Sequence, residues 1–259
     1  MKDSLIIAAS YLTFEQKLEL LYSKQIKAIS YNKALYKDLA LAYDNFINFS
    51  FYCDSEYPQR LKENVRPPFY ITYLGTLKNI KPTVALIGDY SCSKENESIA
   101  YKFAKELSLN NISIITGDGR GIERGVRNGA FYGNSPYYVV LNHGILNKDN
   151  CSAKAMAKDG GVLSLSIPSS KIDSVGIKGK NYLLATLPEA LIVFSTDTNF
   201  SILEIVKTAL DLGKEVFVHH SALSSQIGYS LAKEGAKIID GVGHFLDFYC
   251  IERKLIVLK

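Results

Sequence analysis

From residue 69 onward, short apolar runs rich in Val and Ile alternate with longer amphipathic stretches. Such runs, bounded by turn signals, predict strands at 69–74, 84–87, 112–115, 137–141, 162–165, 190–194, 215–218 and 236–239. The stretches between them carry the helical period and predict helices at 95–109, 122–132, 153–158, 181–187, 202–212 and 228–234. Strands this apolar are buried on both faces, as in a parallel sheet covered by helices. Their alternation with helices implies right-handed crossovers and a doubly wound α/β fold.

Before residue 50 the pattern is helical: Leu18, Leu20, Leu21, Ala34, Leu35, Leu39, Ala40 and Leu41 recur near the helical period. Thr13, with Gln16 three residues on, forms a capping-box signature for the first clear helix. Tyr57-Pro58 and Pro67-Pro68 mark an irregular connection, because proline removes a donor and restricts its predecessor. The expected organisation is an N-terminal helical region (1–55), a Rossmann-like domain (56–250) and a C-terminal tail or edge strand (251–259).

Composition narrows the class. The chain has 259 residues, 47% of them hydrophobic and 22% charged, which suits one large α/β core and excludes disorder or a fibre. Its net charge of +4 permits an anionic partner only if the charge is clustered. Cys53, Cys92, Cys151 and Cys250 are scattered, as buried reduced thiols are, without the spacing of a zinc site. The apolar run Leu5 to Ala9 is too short for a membrane span and lacks a cleavage pattern, so a cytoplasmic protein without membrane association is expected.

Ligands of open parallel sheets bind beyond the carboxyl ends of the strands, at helix N-termini. Two turns qualify: one at Gly88, Asp89, Tyr90 and Ser91, the other from Thr116 to Glu123. In the second, Gly117, Gly119 and Gly121 let the backbone approach a ligand closely, and the helix start offers N–H groups to a phosphate. Arg120, Arg124 and Arg127 follow at steps of four and three, so a helix beginning near Arg120 would carry them as one basic stripe. The plain alternative is tight turn geometry with solvated arginines. Lys171, Lys178 and Lys180, followed by Asn181, form a second basic cluster in an expected loop, suited to phosphate and base contacts or merely exposed. Tyr22, Lys24, Lys27, Tyr31, Lys33, Tyr36 and Lys37 would likewise stack on bases or form a solvated helical face.

No catalytic pattern emerges. His143, His219, His220 and His244 are scattered, and neither a P-loop nor an ordered Ser/His/Asp set is present. Gly121 comes one residue too early for a dinucleotide fingerprint, and Val140, Leu141 and Asn142 stand where its acidic partner belongs. No cofactor or metal is expected.

Over most of 55–240 the order of features resembles the DprA/Smf DNA-processing family. Tyr57, Pro58, Leu61, Pro67, Pro68, Tyr73 and Gly75 are similar to its opening segment; Ile87-Gly88 to its V-G-x-R turn; Thr116 to Glu123 to its S-G-x-A-x-G-I-D turn, with Ala130 following. Asn181 and Leu187 match its F-P-x-R-N-R-I-I-x-G-L segment, Gly213 to Phe217 its G-R-x-V-F strand, and Gly228, Gly235 and Ala236 its closing motif. The resemblance implies an extended Rossmann fold, single-stranded DNA binding without catalysis, a homodimer, and delivery of DNA to a RecA-type recombinase in transformation or recombination. Together with the turns and basic clusters read above, it gives an expected DNA site of Gly88, Thr116, Gly117, Gly119, Arg120, Gly121, Arg124, Arg127, Lys178, Lys180 and Asn181. The winged-helix domain of some members is not expected after this pattern.

The pattern departs from the family at Tyr90, Lys180 and Tyr182, each in place of an arginine, and at Arg127, in place of a histidine. Residues 200–203 replace a turn of glycine and small hydroxyls. Two alternatives therefore stand: a nucleotide-phosphate hydrolase of the lysine-decarboxylase-like group, for which Glu204 is present but the motif glycines are not, and a scaffold that has lost its ligand.

Overall fold

The computed structural model describes residues 1–23, 29–77, 82–147, 151–195 and 201–257. Three helices open the chain: α1 (Lys2–Ala9), α2 (Phe14–Ser23) and α3 (Lys33–Asp44). The predicted capping box is present before α2. The Gln16 amide donates to Thr13 Oγ1 at 3.3 Å, and the Thr13 amide donates to Gln16 Oε1 at 3.0 Å. Lys24 and Lys27, part of the tyrosine–lysine cluster, lie outside the described residues; Tyr31 and Tyr36 pack edge to face against each other.

The rest of the chain runs β1 (Asn48–Phe51), α4 (Gln59–Lys62), β2 (Tyr70–Gly75), β3 (Thr83–Ile87), α5 (Lys94–Leu109), β4 (Ser113–Gly117), α6 (Ile122–Phe131), β5 (Tyr137–Val140), α7 (Cys151–Met156), β6 (Gly161–Ser164), α8 (Ser174–Thr186), β7 (Ala190–Val193), α9 (Ser201–Asp211), β8 (Glu215–His219), α10 (Gln226–Lys233), β9 (Lys237–Ile239) and α11 (Val242–Val257). All eight predicted strands are present. The sheet has nine strands in the order β1-β2-β6-β5-β4-β3-β7-β8-β9.

From β6 to β9 every neighbouring pair is parallel. At the other edge β2 runs antiparallel to β6, and β1 antiparallel to β2. Only the link 76–82 separates β2 from β3, shorter than the dozen or so residues a parallel crossover takes. β1 corrects the expectation of an all-helical N-terminal region. Its burial pattern, one exposed residue followed by three buried ones, lacks the alternation that marks a half-buried strand.

Alternate residues of each strand feed two cores. Val84 and Leu86 of β3 face α5, α6 and α11 together with Leu5, Leu39 and Ala42 of the N-terminal helices. Ala85 and Ile87 face Leu183 and Leu184 of α8, Ile205 and Val206 of α9 and Leu231 of α10. This two-sided burial is the physical source of the continuous apolar runs in the sequence.

Two boundaries differ from expectation. α8 starts seven residues before 181, because Asp173 caps it: its carboxylate accepts from the Gly176 amide at 2.7 Å. At the other end, α11 carries the chain helically through to Val257, where the sequence left a strand or a tail open. Among the described residues no helix is long and apolar enough to cross a membrane.

The chain builds β3, β4, β5 and β6 outward on one side and then returns to place β7 on the other side of β3. That reversal is the switch point of a doubly wound sheet, where the turns at the strand carboxyl ends diverge.

Candidate nucleic-acid interface

The turns after β3 and β4 meet beside this switch point. The Asp89 amide donates to the Ser195 carbonyl at 2.9 Å, tying the β3 turn to β7. The Asp89 carbonyl accepts from the Ile122 amide at 3.1 Å, so one of the orphan donors at the start of α6 is already used. Gly121 caps α6 at a φ of +57°, and a side chain there would run into the Asp89 carbonyl.

The predicted site residues do not converge as a group of cations. Lys180 is buried, with 3% of its side chain exposed, and its Nζ lies 2.8 Å from Glu123 Oε2 and 3.5 Å from Asp118 Oδ1. The same Glu123 oxygen accepts from the Gly119 amide at 2.7 Å. The position a phosphate would take at this turn is therefore filled by the chain's own carboxylate. Gly117 and Gly119 are needed for internal packing: a Cβ at Gly117 would strike the Lys180 ammonium, and one at Gly119 would strike Glu123 and lie 2.5 Å from the Tyr90 ring.

Asp118 continues the network to His143, with Oδ2 and Nε2 3.4 Å apart. Burial alone would lower the Lys180 pKa, but Glu123 and Asp118 outweigh it and hold the ammonium above its ordinary range. Burial likewise pushes the Asp118 carboxyl up, but the hydrogen bond to His143 and the charge of Lys180 reverse this and hold it below the usual value.

The arginines also separate. α6 begins at Ile122, so Arg120 lies in the turn and outside the helical face. It is exposed, and its side chain has no hydrogen bond or ion pair among the described residues. Arg124 makes two 2.6 Å hydrogen bonds to Glu97 of α5, and Arg127 donates to the Gly117 carbonyl at 2.6 Å, closing the end of β4. The single basic stripe is thus replaced by one free cation, one surface ion pair and one internal cap. Thr116 is buried and donates to the Leu86 carbonyl at 2.8 Å. Gly88 is a packing position, since a Cβ would come within 2.7 Å of Ile122. In α8, Lys178 is exposed while Asn181 is buried and donates to Glu204 Oε2 at 2.8 Å. The early start of α8 puts Lys178 and Lys180 on different faces of one helix, correcting the expected lysine loop.

Glu123, Asp118 and Tyr90, which lie in the two candidate turns but are not among the expected contact residues, belong to this site, and so does His143, which the sequence places in no turn. Two of them carry a signal: Tyr90 as the replacement of an arginine in the turn after β3, and Glu123 as an acidic residue in the first turn of a helix that opens with an anion-binding geometry. Tyr90 stands at the mouth of the turn, 43% exposed, with the Lys180 Nζ 5.4 Å from its ring centroid. Among the described residues no group of three His, Cys, Asp or Glu side chains could hold a metal ion.

Comparison with known proteins places the fold among its relatives. Residues 48–249 match the family model of the DNA recombination-mediator protein A. Protein Smf of Borreliella burgdorferi is 27% identical over 169 residues, which cover 63% of this chain and 54% of that protein, so the match spans about half of the relative's length. DNA processing protein A (DprA) from Streptococcus pneumoniae has the same fold, with a TM-score of 0.72 at 22% identity over 93% of this chain and 95% of the other. DprA from Helicobacter pylori, whose structure was described for its single-stranded DNA binding mode, matches with a TM-score of 0.66 at 19% identity over 79% of this chain and 97% of that one. With the family model matched over more than three quarters of its length, this chain belongs to the DNA recombination-mediator protein A family.

Proposed function

We propose that this protein binds single-stranded DNA without catalysing a reaction on it, and that it acts as a homodimer that delivers the strand to a RecA-type recombinase in transformation or recombination. Family membership supports the reading, as does the single-stranded DNA binding described for the Helicobacter pylori relative. The observation that carries it on this chain is Arg120: a cation on the turn at the carboxyl end of β4, beside the switch point, exposed and uncommitted among the described residues. Lys178 supplies a second exposed cation on α8. The remaining site residues hold the turn in shape: Arg127 and Thr116 fix the ends of adjacent strands, Lys180 compensates the Glu123 and Asp118 carboxylates, and Asn181 donates a hydrogen bond to Glu204.

Binding of a labelled oligonucleotide across a salt series tests this. The Arg120→Ala, Lys178→Ala double variant is expected to bind every sequence more weakly by a similar factor. Its slope of log affinity against log salt should be shallower by about 1.4, at roughly 0.7 for each lost phosphate contact on a single strand. Wild-type affinity in the double variant removes this surface from the DNA site.

The filled anion position favours a second reading, a scaffold that keeps the fold and has lost the ligand. In that case the wild-type protein binds no oligonucleotide at any salt concentration. The hydrolase alternative has less support: Glu204, its key acid, is held by Asn181, and residues 196–200 of that loop lie outside the described residues.

A further inference from the structure

Charge accounting at the switch point leaves little attraction for a phosphate at its centre. Lys180 faces two carboxylates and Arg124 is matched by Glu97, while Arg127 keeps its charge but is held on the Gly117 carbonyl at the end of β4. The most accessible feature beside Arg120 is an aromatic ring. Tyr90 is 43% exposed, its edge rests against Gly119, and the Lys180 ammonium sits over it at 5.4 Å from the centroid. A ring backed by a buried ammonium and still two-fifths exposed is a platform on which a planar group can stack. The Lys180 ammonium and the Gly119 backbone bound the ring on two sides, which favours this orientation before a ligand arrives.

We propose that Tyr90 stacks an unpaired nucleobase, and that the centre of this site reads a base ring where the backbone is held only at its rim. The inference rests on the single-stranded DNA reading above and adds the specificity element to it. Glu123 contributes by exclusion: its carboxylate occupies the amide and the ammonium that a phosphate would need, so a strand entering this turn gains more by presenting a base than by presenting its backbone. A duplex, whose bases are stacked on one another, cannot offer that face.

The test uses fluorescence anisotropy with two probes of equal length and charge, a labelled thymidine oligonucleotide and its abasic counterpart, on wild type, Tyr90→Ala, Tyr90→Phe and Arg120→Ala. Wild type is expected to prefer the base-bearing strand by about tenfold, a value typical of one aromatic–base stack. Tyr90→Ala should lose that preference while keeping the wild-type salt slope, Tyr90→Phe should retain it, and Arg120→Ala should weaken both probes together. Both Tyr90 and Arg120 are exposed, which makes all three variants compatible with folding, and circular dichroism checks this. Equal binding of both probes by wild type, or an undiminished preference in Tyr90→Ala, overturns the stacking role and leaves the DNA reading standing. Failure of wild type to bind either probe overturns the DNA reading itself, and the stacking role with it.

Discussion

At the scale of single residues, Lys180 and Arg124 separate two kinds of ion pair that look alike in the sequence. Lys180 is enclosed with Glu123 and Asp118, so truncating it leaves two carboxylates buried without their cation. Lys180→Ala is expected to destabilise the fold by about 3–5 kcal/mol, read from urea unfolding midpoints, because an uncompensated buried charge costs more than the pair itself contributes. Arg124, with 54% of its side chain exposed, is held in water where screening weakens the interaction. Arg124→Ala should leave the midpoint indistinguishable from wild type. A similar loss in both variants would mean that the Lys180 network is solvated in solution.

His219 provides a pH-dependent counterpart. It is buried, stacks on Phe194 with ring centroids 4.9 Å apart, and accepts the Ser221 amide on Nδ1 at 3.2 Å, so the neutral ring is the one that fits. Burial, reinforced by His220, pushes its pKa down to about 4. Between about pH 4 and 6.5 the unfolded chain therefore binds a proton that the folded chain refuses, and stability rises with pH across that window. The full contribution is present above about pH 6.5 and is lost as the pH falls towards 4, a loss on the order of 2 kcal/mol. Thermal unfolding followed from pH 4 to 7 should show this slope in wild type, and a flatter one in His219→Gln.

The pairing of α5 with α6 governs the element scale, since it fixes the start of α6 against the two site turns. Gly125 and Gly129 stand one helical turn apart on α6. A Cβ at Gly125 would lie 2.5 Å from the Glu97 carbonyl, and one at Gly129 would strike the Tyr101 carbonyl. The helices approach so closely that backbone meets backbone. Gly129→Ala is expected to destabilise by about 1–3 kcal/mol through overpacking, despite the better helix propensity of alanine. A stabilised variant would show that the helices are free to separate. Most of these elements were legible beforehand because strand and helix periodicity is local. The exceptions have identifiable causes. β1 is so nearly buried throughout that it lacks alternation, and α8 was missed over its first turns because Gly176 and Gly179 read as loop residues until the Asp173 cap is seen. Gly176 is there because the Asn142 carbonyl passes against the helix, a contact between segments 34 residues apart that no local pattern encodes.

For the whole molecule, the N-terminal helices and the sheet share one apolar cluster. Leu5, Leu39 and Ala42 lie in the same core as Leu86, Phe103 and Ile114. Unfolding should accordingly be a single cooperative transition, and Leu39→Ala, at a fully buried position, should shift all of it by about 2–5 kcal/mol. A biphasic curve in which Leu39→Ala moves only the first phase would instead separate 1–47 as an independent unit.

What the sequence determined by itself is the doubly wound α/β architecture, the glycine-rich turns after β3 and β4 and the family to which the chain belongs. Each of these rests on short-range patterns of apolar, glycine and capping residues, which act over a few positions. What the tertiary structure decided is which charges remain available. Lys180 and Glu123 are 57 residues apart, Arg124 and Glu97 are 27 apart, and their compensation exists only once α5, α6 and α8 have been packed on the sheet. Counting cations along the chain predicted a basic track, whereas folding pairs Lys180 and Arg124 with carboxylates, turns Arg127 onto a carbonyl and leaves Arg120 and Lys178 exposed, because electrostatic neutralisation depends on distance in space, where periodicity depends on distance in sequence.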